Sequence, residues 1–335
     1  MNQASPNIHS VYYRLIALWV LCEAMLGGII HGFKLPISGL LVGGAAAVII
    51  SLIGYYVPTR GAIIKATVIV AVFKMVLSPH SPLPAYIAVF FQGLLGELLF
   101  INKRWFKLSC LLLAVLSLIE SALQRILVLT ILYGTTFWKA VDQFLSKLTG
   151  EKTITSYSFY FATGYIILHI VAGFFIGWFT GLLPNKIRLW KSCTVIISLP
   201  METSNETAIP KEKRKKIKTG LLVVWLLLIA LYIQSALPIG KPILSSNDML
   251  QVFIRSVLIV LGWYLLVAPS ASKLLQKWLK KKQSEEQATI KEVSHAMPSV
   301  KHVVQQSWLL SSSKKGLARF KFFCRILTVN IIYAA

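Results

Sequence analysis

The stretch from Glu23 to Glu97 holds four apolar segments joined by connections of a few residues, with small side chains inside every segment. Roughly 20 apolar residues cross a bilayer as a helix, so a chain patterned this way is committed to closely packed helical spans. The same reading carried to both ends finds eight such segments, at 11–31, 36–56, 61–78, 84–101, 107–133, 158–183, 219–239 and 250–268. Those at 61–78 and 84–101 are short and bounded by prolines, which suits helices held inside a bundle with little tilt. The expected fold class is all-α, a polytopic integral membrane helical bundle with about eight transmembrane helices.

Composition agrees with that class. Hydrophobic residues make up 56% of the 335, charged residues only 14%, and the mean hydropathy is +0.68. The net charge of +23, from 35 Lys and Arg against 12 Asp and Glu, would also fit a nucleic-acid-binding protein. Here, however, the positive charge flanks apolar spans in two blocks, the cytoplasmic bias of a membrane protein, so no nucleic-acid partner is expected. Residues 185–218 carry nine Lys and Arg and the chain after 269 carries twelve more. Arg60, Lys103, Arg104 and Lys107 fall in the other inner connections, and the 78–84 connection has none. Alternation then places both termini in the cytoplasm and the His31–Pro36 and Ser78–Pro84 turns outside, with Lys34, Lys139, Lys147 and Lys152 as exceptions. The polar N-terminus is not followed by a small-residue cleavage site, so the first apolar run is expected to stay as a span. The expected location is the cell (inner) membrane, multi-pass.

The organisation reads as four parts: a six-span membrane domain at 1–185, a basic cytoplasmic linker at 186–218, a two-helix membrane unit at 219–269, and a basic cytoplasmic tail with amphipathic helices at 270–335. Pro200 and Pro210 mark the linker. Within the tail, 273–293 is rich in Lys, Gln and Glu and reads as a solvated helix. Residues 299–335 mix apolar side chains with Lys314, Lys315, Arg319, Lys321 and Arg325, which suits docking on a membrane surface or on a protein. Residues 137–149 place Phe137, Trp138, Val141, Phe144, Leu145 and Leu148 on one helical face, as in a helix lying at the outer interface or over a site.

A charged side chain at bilayer depth costs at least about 2.5 kcal/mol on insertion scales, so each one asks for a partner or a watery cavity. Glu23, Glu120 and His169 fall near the middle of spans one, five and six, and Gln92 near the middle of span four. Lys74 and Arg125 fall in the outer halves of spans three and five. Lys65, Glu97 and Arg255 lie nearer the ends, within reach of the interface. Glu120 and Gln124 share one face of span five and Ser121 and Arg125 the next. One reading is an outward-open polar pocket in which Lys74 and Arg125 meet an anionic part of a ligand over a floor of Glu23, Glu120 and His169. The other is interhelical ion pairing, for example Glu120 with Lys74 or Arg125.

His31 and His80 in the outer turns, with His169, offer hydrogen bonds to an organic ligand. No two histidines stand at metal-binding spacing, and the four cysteines are scattered singly, so neither a metal nor a cofactor is expected. The pairs and runs at Gly27-Gly28, Gly43–Ala47 and Gly93–Gly96 provide small faces for close helix contact. No phosphate loop of the GxxxxGK[ST] kind occurs, so the chain is not expected to hydrolyse ATP itself.

The first six spans resemble the substrate-binding (S) component of energy-coupling-factor transporters. The similarity lies in six spans with the N-terminus inside, a Gly- and Ala-rich second span, short outer connections after spans one and three, and the stretch GGIIHGFKLP leading out of span one. That resemblance implies a ligand enclosed by the outer loops and outer halves of the spans. Under that resemblance the polar residues already read from the spans and outer turns become the candidates to bind it: Glu23, His31, Lys34, Lys74, His80, Gln92, Glu120, Gln124, Arg125 and His169. It also implies a T-type membrane subunit and separate cytoplasmic ATPase subunits as partners. Ala17 and Ala24 match the small residues of span one that face the T component in that family. The nickel and cobalt members begin Met-His, whereas this chain begins Met1-Asn2-Gln3. Residues 219–335 resemble part of a T component, Ala318-Arg319 matching its small-residue-then-Arg motif. The expected function is capture of a small polar organic solute, a vitamin or precursor, for ATPase-driven uptake, with no covalent chemistry in this chain. Two further readings are a membrane scaffold that recruits a cytoplasmic protein through its basic tail, and a membrane enzyme using Glu120, His169 and Glu23.

Overall fold

The computed structural model describes residues 7–26, 38–78, 81, 83–150, 156–199, 268–334 and scattered positions between 250 and 262. His31, Lys34, His80, Arg255, span 219–239, most of span 250–268 and residues 200–218 of the linker lie outside the described residues. What is described is almost wholly helical, with no strand among the described residues.

In chain order the helices are α1 (Ile8–Leu21), α2 (Ser38–Tyr56), α3 (Ala62–Leu77), α4 (Leu83–Leu99), α5 (Phe106–Thr149), α6 (Tyr157–Lys191), α7 (Ala268–Glu285), α8 (Gln287–Leu310) and α9 (Gly316–Tyr333). Three stretches among the described residues are long and apolar enough to cross a membrane: Ser38–Tyr56, Phe106–Thr135 and Tyr157–Lys191. The chain is therefore a helical protein with membrane-spanning character. α4 is a shorter apolar helix, and α1 stops at Leu21 before a π-helical turn, Cys22–Leu26. α5 breaks at Gly134, whose φ of 76° is open to glycine alone without strain. That break separates the apolar span from the amphipathic residues 137–149, and the Trp138 indole donates to Thr130 Oγ1 across it at 3.0 Å.

Two compact units result. The first comprises residues 1–118, 171–208 and 275–335. Its core forms around α1, whose Val11, Leu15, Ile16, Trp19 and Val20 are buried on all sides. Val293, Val300 and Val303 of α8 and Val329, Ile331 and Ile332 of α9 belong to the same core. The Arg14 guanidinium on α1 donates to the carbonyls of Ala334 (2.7 Å) and Ile332 (3.4 Å), satisfying the C-terminal end of α9. Asn330 holds the extended residues that follow α6, donating to Val195 O and accepting from Ile197 N at 2.7 Å. Arg325 adds a bond to Cys193 O at 3.1 Å. Burial pushes the Cys324 thiol on α9 up to about 11, so it behaves as a small hydrophobe.

The solvated helix expected over 273–293 is corrected. Leu275, Leu279 and Ile290 pack on Ala71, Val72, Tyr86 and Phe90 of α3 and α4, and Trp278 meets Phe90 edge-on at 5.7 Å. Lys273, Lys277, Lys280 and Lys281 stay exposed, and Lys282 holds the Glu285 carboxyl below its usual range by hydrogen bonding. Residues 275–335 thus complete the core of the first unit and do not hang from it as a separate tail.

The second unit comprises residues 119–170 and 209–274, of which 119–150 and 156–170 carry most of the description. Asp142 closes its helical hairpin at the start of α6, accepting from Ser158 N at 2.6 Å and Ser158 Oγ at 3.0 Å. Phe144 and Leu148 stay exposed, as an interfacial helix requires.

Candidate functional site

The nominated residues fall into two groups, one in each unit. In the first unit the π turn after α1 widens the helix and brings Glu23 round to α3. Lys74 stands in the last turn of α3, where the helix C-terminus favours a cation. Lys74 Nζ lies 2.6 Å from Glu23 Oε2, both residues are only 6% exposed, and Lys74 also reaches Ala85 O at 3.5 Å. The pairing expected for Lys74 with Glu120 is therefore made with Glu23. Gln92 of α4 is buried against α2, and its Oε1 has no hydrogen-bond partner among the described residues. A Cβ on Gly43 would sit 3.4 Å from Gln92 Nε2, so the glycine makes room for the amide.

Two charges assigned to the span ends have fixed partners. The Glu97 carboxylate accepts from the backbone N–H groups of Gly61 (2.6 Å), Ile63 (3.2 Å) and Ile64 (3.3 Å). It caps the N-terminus of α3 from another helix, next to Gly61 at φ 80°. Lys65 pairs with Glu286 at 2.9 Å, which pins the α7–α8 junction to α3.

The second group lies on α5 and α6 within the second unit. Arg125 hydrogen-bonds the Tyr165 side chain. The Tyr165 carbonyl accepts from His169 Nδ1 at 2.9 Å, and the two rings stand 4.3 Å apart. A carbonyl only accepts, so Nδ1 carries a proton. His169 Nε2 is buried without a partner among the described residues, and so is Glu120 Oε2. α5 and α6 run antiparallel. Each of the two helices thus carries one buried polar atom without a partner among the described residues, and Gln124 and Arg125 follow Glu120 by about one turn of α5.

Ala17 is wholly buried in the core, Ala24 is half-buried on the π turn, and Ala318 is exposed. Arg319 lies over the Trp308 ring at 4.2 Å. Among the described residues no group of three or more His, Cys, Asp or Glu is placed to hold a metal ion.

Tyr165 and Glu97 were absent from the sequence-based candidates. Tyr165 was missed because its role runs through a backbone carbonyl and an aromatic face, Glu97 because it caps a helix start 33 to 36 residues earlier. A third miss had a visible signal. Gly173, Gly177 and Gly181 form a small-residue ladder at four-residue spacing, the pattern of close helix crossings. No protein-family model, no curated protein and no solved structure matches the chain.

Proposed function

We propose that the chain is the solute-capturing membrane component of an ATPase-driven uptake system, binding a small polar organic molecule at an outward-facing pocket. In this reading eight spans cross the cell (inner) membrane with both termini inside. A T-type membrane subunit and separate cytoplasmic ATPases supply the energy. The reading is supported by the six-span pattern of residues 1–185 in the sequence. The observation that carries it is that Glu120 Oε2 on α5 and His169 Nε2 on α6, both in the second unit, are buried with no partner among the described residues. Leaving a buried polar group unmet costs about 1–3 kcal/mol, and in this reading a bound solute supplies the missing partner. Arg125, one turn away, meets an anionic part of the same molecule.

The test is a thermal-shift screen of the detergent-purified protein against water-soluble vitamins and their precursors. Glu120→Gln and Arg125→Ala run in parallel. A true ligand at 100 times its Kd stabilises by about 2.7 kcal/mol. The expected result is one compound that raises the melting temperature of the parent and fails on both variants. A compound that stabilises parent and both variants alike places binding elsewhere and overturns the assignment of this hairpin. Silence across the panel counts against solute capture.

A further inference from the structure

In the first unit, α5 begins beside the end of α6, and a cleft of about 380 Å³ opens between them. Arg104, Trp105, Lys107, Tyr55 and Asn185 line it, and no carboxylate does. The ion pairs among the described residues engage Lys65, Lys74 and Lys282, so neither Arg104 nor Lys107 is neutralised by an acidic partner there. Both side chains are exposed, and Trp105 beside them is exposed as well. From the mouth of the cleft an apolar track runs along α5 through Leu108, Leu112 and Leu116, all exposed and spaced one helical turn apart. α6 adds Phe175 and Trp178, also exposed.

We infer that this cleft binds the phosphate headgroup of an anionic phospholipid, with an acyl chain lying along the Leu108–Leu112–Leu116 track. A guanidinium and an ammonium converging without a carboxylate select an oxyanion. An exposed tryptophan at the same level is the side chain that settles at headgroup depth. The apolar track is what separates a lipid from a free phosphate, because only the lipid has a chain to cover it. The positive-inside pattern puts this end of α5 on the cytoplasmic side, where the leaflet is negatively charged.

The test is native mass spectrometry of the full chain after delipidation and titration with phosphatidylglycerol, phosphatidylcholine or inorganic phosphate. The variants are Arg104→Gln/Lys107→Gln, the charge-retaining Arg104→Lys/Lys107→Arg, and a control in the C-terminal basic turn, Lys314→Gln/Lys315→Gln. The expected result is one tightly retained phosphatidylglycerol, weakened about fivefold for each cleft cation removed. It should be kept by the charge-retaining pair and by the control. Equal retention of phosphatidylcholine overturns the proposal, as does inorganic phosphate competing at the same concentration as the lipid. Loss in the Lys314/Lys315 control with no loss in the cleft variant moves the lipid to the C-terminal turn and also overturns it. All the altered side chains are exposed, and an unchanged melting temperature without lipid checks that the fold survives.

Discussion

At the scale of single residues, Glu23 and Lys74 show how a charge is carried within an apolar core. Each alone would be an ion out of water, and together at 2.6 Å they neutralise one another. Removing one partner of a buried pair leaves the other uncompensated, at a cost of about 3–5 kcal/mol. Lys74→Met should therefore lose about that much stability in detergent, while Glu23→Gln/Lys74→Met, which leaves no lone charge, should recover most of it. Denaturant or thermal unfolding of the three proteins measures the coupling. Additive losses in the double variant would mean that the two residues act separately, and the ion pair would no longer account for their burial. The histidine on α6 poses the opposite case. His169 is fully buried, yet one of its nitrogens is unmet among the described residues, a cost that folding alone does not explain.

At the scale of helices, α6 packs on α5 through glycine. A Cβ on Gly177 would lie 2.6 Å from Leu111 Cα and 2.9 Å from Cys110 O, and on Gly173 2.8 Å from Val115 Cα. The atoms in the way are backbone, so no rotamer change relieves the clash and the helices must separate. Gly177→Ala should cost about 1–3 kcal/mol by overpacking. Gly164→Ala in the same helix, where no described atom lies within 4 Å, should gain up to about 1 kcal/mol from helix propensity. Comparing the two melting temperatures checks the argument, because a loss of equal size at both sites would trace to glycine's backbone freedom and not to the crossing. The helices themselves were largely legible in the sequence. The segments at 36–56, 107–133 and 158–183 coincide with the long apolar helices α2, the first part of α5 and α6, and the two short segments bounded by prolines coincide with the helices α3 and α4. What the sequence hid was how α7, α8 and α9 pack. Their buried Leu279, Val293, Val300 and Val303 are set among lysines and glutamines, a pattern that also describes a solvated helix. α1, on which α8 and α9 pack, is apolar from Leu15 to Leu21 on every side, which by itself looks the same whether lipid or protein covers it. The residues of the site were legible as types at depth, but their partners were not. Ion pairs and caps join positions tens of residues apart, and no local spacing encodes them.

At the scale of the molecule, the burial of α8 and α9 against α1 changes how the rival readings are told apart. Cutting the chain before Gln287 would uncover Val11, Leu15 and Ile16, and strip Arg14 of the carbonyls that it caps. Such a truncation should unfold the first unit whatever the protein does, so lost function after it would not identify a recruiting tail. The turn between α8 and α9 can be altered without that cost. Leu309, Leu310, Leu317 and Phe320 are exposed there beside Lys314, Lys315 and Lys321. Exposed substitutions away from special features usually stay within about 0.5 kcal/mol. Leu309→Ser/Leu317→Ser/Phe320→Ser should therefore leave the melting temperature unchanged. If the chain captures a solute through the α5–α6 hairpin, ligand-dependent stabilisation should persist in this variant and uptake in cells should be retained. If it is a scaffold, the variant should stay folded and lose both the co-purifying cytoplasmic partner and the cellular function that depends on it. The two outcomes exclude one another, because the substitutions touch neither Glu120 nor His169 and leave the buried faces of α8 and α9 in place.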